Sequence, residues 1–247
     1  MLTDLFFNLL VAHIVSDFYL QWNAQCENKA RCGFKGYGLW YHAVIVGVTA
    51  WGATSWSCDG WWLAAGIMIS HCLIDWAKSC FSGNHEGKKV ALCLFVVDQI
   101  LHIGVLYGLV ALWSKFNPSW QQIGWVSQLV AKHPLRIYTA IALLVALKPA
   151  NFLILHVLEA CKVNPAINDD HGNFHSGALI GWLERGLMLV FVVLGQYEAI
   201  GFLIAGKSIL RFGEASKGDE KSEYVLCGTL LSLSVALILG LCVKFML

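Results

Sequence analysis

Three apolar stretches long enough for a membrane helix each carry a His and an Asp four residues apart. They are His13/Asp17 in FNLLVAHIVSDFYLQ, His71/Asp75 in AAGIMISHCLIDWAK and Asp98/His102 in LCLFVVDQILHIGVL. Residues four apart on a helix share a face, so each pair forms a two-ligand patch on a surface otherwise suited to hydrocarbon. A carboxylate at a bilayer centre costs about 2.5–3.5 kcal/mol on insertion scales, and three isolated ones would cost about 8–10 kcal/mol together. Gathering them around shared positive charge avoids much of that cost. The chain is therefore constrained to a helix bundle with a polar pocket inside it.

The rest of the chain agrees with a membrane setting. Hydrophobic residues make up 57% and charged residues 13%, against about 25% charged in soluble domains. Tryptophans cluster near the ends of the apolar runs (Trp22, Trp40, Trp56, Trp61, Trp62, Trp113, Trp120), as in an interfacial aromatic belt. A net charge of +1 gives no reason to expect nucleic acid. Nine cysteines, an odd number, show neither a CxxC pair nor zinc-ribbon spacing, and are expected as small apolar fillers. The N-terminal run has no basic segment before it and is interrupted by Asp4, His13 and Asp17, so it is expected to stay as the first helix.

With about 20 residues needed per crossing, spans are predicted near 3–21, 38–57, 61–81, 90–113, 136–160, 177–196 and 224–245. A Gly-punctuated segment at 197–212 crosses at reduced length or re-enters, and 118–133 is predicted as an amphipathic surface helix. The expected fold is an all-α polytopic transmembrane bundle of about seven to eight helices. Its parts are a four-helix His/Asp-bearing core over 1–113, a connector with helix 5 and a polar loop over 114–176, and C-terminal helices over 177–247. Lys and Arg set orientation. With the N-terminus outside, the inward connections hold eleven basic residues, including Lys29, Lys78, Lys207 and Arg211, against four on the outward side.

That orientation sharpens the pattern. The order is His then Asp in the two inward-running helices, and Asp then His in the outward-running one. The three carboxylates thus fall at one depth, with their imidazoles one turn deeper, and His42 enters from a fourth helix near the carboxylate level. Four imidazoles and three carboxylates (His13, Asp17, His42, His71, Asp75, Asp98, His102) suit one or two divalent transition ions, Zn, Mn or Fe. Ferritin-like bundles hold two metals with inward-facing carboxylate and His ligands in a comparable way. Such a site lowers the pKa of bound water toward about 7 and supplies hydroxide. His42 is then a ligand or general base, and His42 with Asp98 form the candidate catalytic pair. Polar packing without metal, and a proton or ion pathway, remain the alternatives.

In the second half, Glu184 and Arg185 are adjacent inside an apolar helix, and Lys207 and Arg211 close the short segment. They act either as snorkelling and structural charges or as contacts to an anionic substrate, with phosphate the natural candidate for Arg. Asp169, Asp170, His171 and His175 form a polar loop, expected to be solvated. No P-loop, HExxH, GxGxxG or nucleophile elbow is present.

At AHIVSDFYLQ, Glu27–Lys29, His42, HCLIDWAK and DQILH the chain resembles the bacterial domain-of-unknown-function family 3307. So do IGWLERGLMLVFVVLGQYEAIGFLIAGKSILRFGE and EYVLCGTLLS, giving resemblance over roughly 1–105 and 177–233. The resemblance implies an uncharacterised multi-pass protein of the bacterial inner membrane, sometimes accompanied by a SatD-like soluble protein. The His/Asp pattern is also similar in style to membrane-bound metal-dependent hydrolases of the YdjM-like group. Together these readings lead to a metal-dependent membrane hydrolase acting on an amphipathic, phosphorylated, lipid-like substrate at the cytoplasmic leaflet. The alternatives are an ion- or proton-coupled transporter or channel, and a non-catalytic anchoring subunit.

Overall fold

In the computed structural model, which describes residues 2–84, 87–117, 125–162, 174–212 and 219–247, every regular element is helical. The chain opens with α1 (Leu2–Phe18), α2 (Asn23–Cys32) and a short 3-10 turn (Gly33–Lys35). Then follow α3 (Tyr37–Ala53), α4 (Gly60–Asn84), α5 (Lys88–Phe116) and α6 (Trp125–Lys132). The remainder is α7 (Pro134–Ala160), α8 (Phe174–Leu194), α9 (Tyr197–Phe212) and α10 (Asp219–Phe245). Two compact units result, Met1–His133 and Pro134–Leu247. The boundary falls inside the expected 114–176 connector, because α7 packs with α8 and α10.

In the first unit α1, α3, α4 and α5 close into a ring, each helix packing on two of the others. The reason is visible in four-residue stripes, since i and i+4 share one helix face. Leu5, Leu9, His13 and Asp17 form the stripe of α1, and Leu63, Ile67, His71 and Asp75 that of α4. On α5 the order is reversed, Asp98, His102, Leu106 and Val110, while α3 contributes His42, Val46 and Ala50. The apolar halves of the stripes merge into one core that includes Leu5, Leu9, Val46, Ala50, Ile67, Leu106 and Val110. The polar halves continue that core at its other end. Outside the ring, α6 is pinned to α1 by the Ser127 N–H, which donates to Asn8 Oδ1 at 3.0 Å. It supplies the described part of the amphipathic segment expected at 118–133.

α2 lies against α3 and α4. Its docking rests on Gly38, whose N–H donates to Asn28 Oδ1 at 2.9 Å. A Cβ on Gly38 would run into the main chain of Gln25, so only glycine permits this approach. The contact places Lys29 over the polar end of the ring.

Three described helices are long and apolar enough to cross a bilayer: α5, α7 and Leu226–Phe245 of α10. Only 17% of the most apolar stretch of α5 is buried inside the protein, so its outward surface is apolar, as a lipid-facing surface must be. The expected spans at 3–21, 38–57, 61–81 and 177–196 correspond to α1, α3, α4 and α8. α1 and α3 have 17 residues each, which at 1.5 Å per residue is about 26 Å against a hydrocarbon core of about 30 Å. α4 and α8 are longer, with 25 and 21 residues. α1 and α2 meet at 83°, so α2 turns away from the direction of α1.

In the second unit α7, α8 and α10 pack pairwise, and α9 lies on α8. Ala142, Ala146, Leu189 and Val243 form the core. Gly195, at φ +73°, ends α8 in the left-handed region open to glycine, and α9 follows as a single helix. All nine cysteines are free thiols, but Cys72 alone is buried. Cys227 is half-buried and the other seven are exposed rather than filling the core.

Candidate metal centre

The polar ends of the four stripes meet. His13, His42, His71, Asp75, Asp98 and His102 are buried and Asp17 is largely so, and all seven lie in the first unit. Three subsets place one donor atom per residue within 4.8 Å of one another: His13/Asp17/His71, His42/His71/Asp75 and Asp75/Asp98/His102.

The tightest convergence is a triangle of single atoms. His42 Nε2 is 3.0 Å from His71 Nε2, Asp17 Oδ1 is 3.4 Å from His42 Nε2, and Asp17 Oδ1 is 3.3 Å from His71 Nε2. A tetrahedral ion with bonds of about 2.0–2.2 Å holds its donors about 3.3–3.6 Å apart, so two edges fit directly and the third needs only a small opening. Asp75 Oδ2 stands next nearest, 3.8 Å from His71 Nε2 and 3.9 Å from His42 Nε2. Without an ion, the 3.0 Å contact is a hydrogen bond between one protonated and one bare ring nitrogen.

Two lysines that were not among the expected site residues complete the electrostatics. Lys29 Nζ donates to Asp75 Oδ2 at 2.7 Å, and Lys78 Nζ donates to Asp98 Oδ2 at 2.8 Å. Burial alone would lower the Lys29 pKa, but the Asp75 carboxylate outweighs it and holds the ammonium above its ordinary value. Three carboxylates against two ammoniums leave the cluster at −1 with neutral imidazoles. One divalent ion brings it to +1 and two would bring it to +3. Asp98 Oδ2 also accepts from Gln99 Nε2 at 3.2 Å, while its Oδ1 is buried without a hydrogen-bond partner.

His13 and His102 stand off the triangle. His102 Nδ1 is 2.8 Å from the Asp98 main-chain oxygen, and His13 Nδ1 is 3.7 Å from Asp17 Oδ1. Their rings stack at 5.2 Å. Both Nε2 atoms are buried without a hydrogen-bond partner. Beside them lies a cavity of about 20 Å³ lined by His13, Ser70, His71, His102 and apolar side chains, room for one water-sized occupant.

A family profile described as protein of unknown function (DUF3307) matches residues 5–131, just over half of the 247-residue chain. The chain belongs to this family. The matched residues coincide closely with the first unit and contain all seven clustered groups and both lysines. No curated protein and no solved structure matches the chain.

The second block of resemblance, 177–233, lies outside the part matched to the DUF3307 family. There Arg185, only 2% exposed, is engaged by neutral acceptors of its own unit. Its Nε donates to the Ala146 carbonyl at 2.8 Å, and its other nitrogens reach Ser232 Oγ at 3.2 Å, Asn151 Oδ1 at 3.1 Å and the Leu147 carbonyl at 3.4 Å. Two of these acceptors, the Ala146 and Leu147 carbonyls, lie in α7 just before Pro149, which sits inside the helix. Lys207 Nζ pairs with Glu184 Oε2. The side chains of Arg211 and His175 and the residues Asp169, Asp170 and His171 lie outside what the structure describes, and His175 falls in the first turn of α8 rather than in a loop. Arg185 thus ties α8 to α7 and α10 within the second unit.

Proposed function

We propose that the chain is a membrane metalloprotein that binds one divalent transition ion (Zn, Mn or Fe) through Asp17, His42 and His71, and that it uses this ion hydrolytically. The observation that carries the proposal is the 3.0–3.4 Å triangle of Asp17 Oδ1, His42 Nε2 and His71 Nε2. Three protein donors leave a fourth position for water or substrate, the arrangement of catalytic zinc sites. His42 then serves as ligand rather than base. His13 and His102, whose Nε2 atoms lack partners, would hold the water.

The loaded cluster, at +1, favours an anionic group, and the apolar outer surfaces favour a ligand drawn from the bilayer. An amphipathic phosphorylated substrate meets both conditions. The basic connections support an N-out orientation in a bacterial inner membrane, with the site toward the cytoplasmic leaflet.

The test is metal content and turnover of the full chain in detergent or nanodiscs. About one Zn or Mn per chain is expected, lost in His71→Ala, together with metal-dependent hydrolysis of a lipid phosphate. Metal-free protein unaffected by His71→Ala would overturn the proposal.

A second reading is favoured by one observation, the chain of imidazole rings: His42–His71 at 5.0 Å, His71–His102 at 4.1 Å and His102–His13 at 5.2 Å. Such a series can relay protons. Proton flux into liposomes that is abolished by Asp75→Asn, in protein that holds no metal, would select it.

A further inference from the structure

Asp75, Asp98 and His102 offer one donor atom each within 4.8 Å of one another. Their exposures are 4%, 4% and 5%, and Asp98 Oδ1 and His102 Nε2 make no hydrogen bond. Two buried carboxylates this close disfavour each other's charge, and the Asp17/His42/His71 triangle does not include Asp98. The charge they need arrives as ammonium, Lys29 on Asp75 at 2.7 Å and Lys78 on Asp98 at 2.8 Å.

The two lysines reach these positions by different routes. Lys29 comes from the connecting helix α2, fixed by the Gly38–Asn28 contact. Lys78 comes from α4 itself, three residues after Asp75, and its side chain is 34% exposed. Together they supply the +2 of one divalent ion. The geometry points to a second divalent-cation position at Asp75, Asp98 and His102, which the Lys29 and Lys78 ammonium groups fill in place of a metal, keeping the centre mononuclear. The proposal rests on the one-metal reading above and names what limits it. Two carboxylates and an imidazole form a set suited to Mn²⁺ or Zn²⁺. An ammonium about 2.7–2.9 Å away and a metal about 2.0–2.2 Å away are alternative countercharges for the same two carboxylates, so removing a lysine leaves one of them without its cation and opens the position.

The experiment counts metal. The full-length chain is purified in detergent, stripped with chelator, reloaded with excess MnCl₂ or ZnCl₂, desalted and analysed for metal per chain. Wild type is expected to hold one ion, Lys78→Met two, and Lys78→Arg, which keeps the charge, one. Lys29→Met, which frees Asp75 instead, carries the same expectation of two and keeps the test decisive if Lys78→Met does not fold. The double variant Lys78→Met/Asp98→Asn, which removes cation and anion together, should return to one. One ion in wild type and still one in both folded lysine-to-methionine variants would overturn the second position while leaving the first intact. Two ions in wild type would also overturn it. No ion in any variant would instead remove the metal reading beneath it.

Discussion

Replacing Lys29 by Met should cost far more stability than removing both members of its ion pair. The Asp75 side chain is 5% exposed and that of Lys29 15%. Lys29→Met strands a buried carboxylate, and breaking a buried pair from one side costs about 3–5 kcal/mol. Asp75→Asn strands an ammonium on a flexible four-carbon stem that can shift toward water. Its cost should approach that of one lost charged hydrogen bond, about 1.5–3 kcal/mol. Lys29→Met/Asp75→Asn leaves no charge and should recover most of the loss, since neutral replacements of buried pairs are often tolerated.

The assay is thermal unfolding of chelator-treated protein in detergent, followed by tryptophan fluorescence. At about 2–4 °C per kcal/mol for a chain of this size, Lys29→Met should melt roughly 6–20 °C below wild type, with the double variant between them. Added Mn²⁺ or Zn²⁺ should raise the Lys29→Met midpoint more than that of wild type. In wild type the raised Lys29 pKa means the pair's contribution is fully present below the ordinary lysine value. It is lost only as pH climbs through the higher folded value. Equal losses in the two single variants that add in the double would refute the coupling.

Gly38→Ala should push α2 away through the main chain of Gln25, costing about 1–3 kcal/mol. Because it also displaces Lys29, its effect should fall short of additive with Lys29→Met in the same melting assay. Arg185→Leu removes donors from four acceptors of the second unit and should cost about 3 kcal/mol or more, with metal per chain unchanged. Lys, a single point donor, should restore only part of that loss. A stable Arg185→Leu protein that has lost only turnover would return Arg185 to the substrate. Asn8→Ala leaves the buried Ser127 N–H without its partner, for about 1–3 kcal/mol. Limited proteolysis should then cut α6 earlier than in wild type.

The four-residue His/Asp spacing and its reversal in α5 are local properties of helices, so the gathering of His13, Asp17, His71, Asp75, Asp98 and His102 was legible before any coordinates. His42 was legible as a fourth-side contributor, because it lies near the start of the helix between two such stripes. What periodicity could not rank was proximity. That Asp17, His42 and His71 form the tight triangle, while His13 and His102 stand back, depends on ring packing angles that no spacing encodes. Lys29 and Lys78 fall within the residues that carry the family resemblance and among the basic residues that set orientation, but spacing alone does not pair them with Asp75 and Asp98. Lys29 belongs to a connector whose docking depends on Gly38, and Lys78 lies three residues after Asp75 on α4 yet pairs with Asp98 on α5. Arg185 invited a ligand role because its acceptors, on α7 and α10, lie 34 to 47 residues away along the chain. The Pro149 stretch could be suspected of a kink but not assigned a partner. The division at His133 was hidden too, since α7 continues the apolar pattern of α5 and only its packing sets it apart.

The most direct measurement is the anomalous scattering of the full chain crystallised after loading with Zn²⁺ or Mn²⁺. The expected result is one peak per chain within about 2.0–2.3 Å of Asp17 Oδ1, His42 Nε2 and His71 Nε2, consistent with first-row metal–ligand bonds. A peak bound elsewhere, or none at these three atoms in fully loaded protein, would contradict the central assignment.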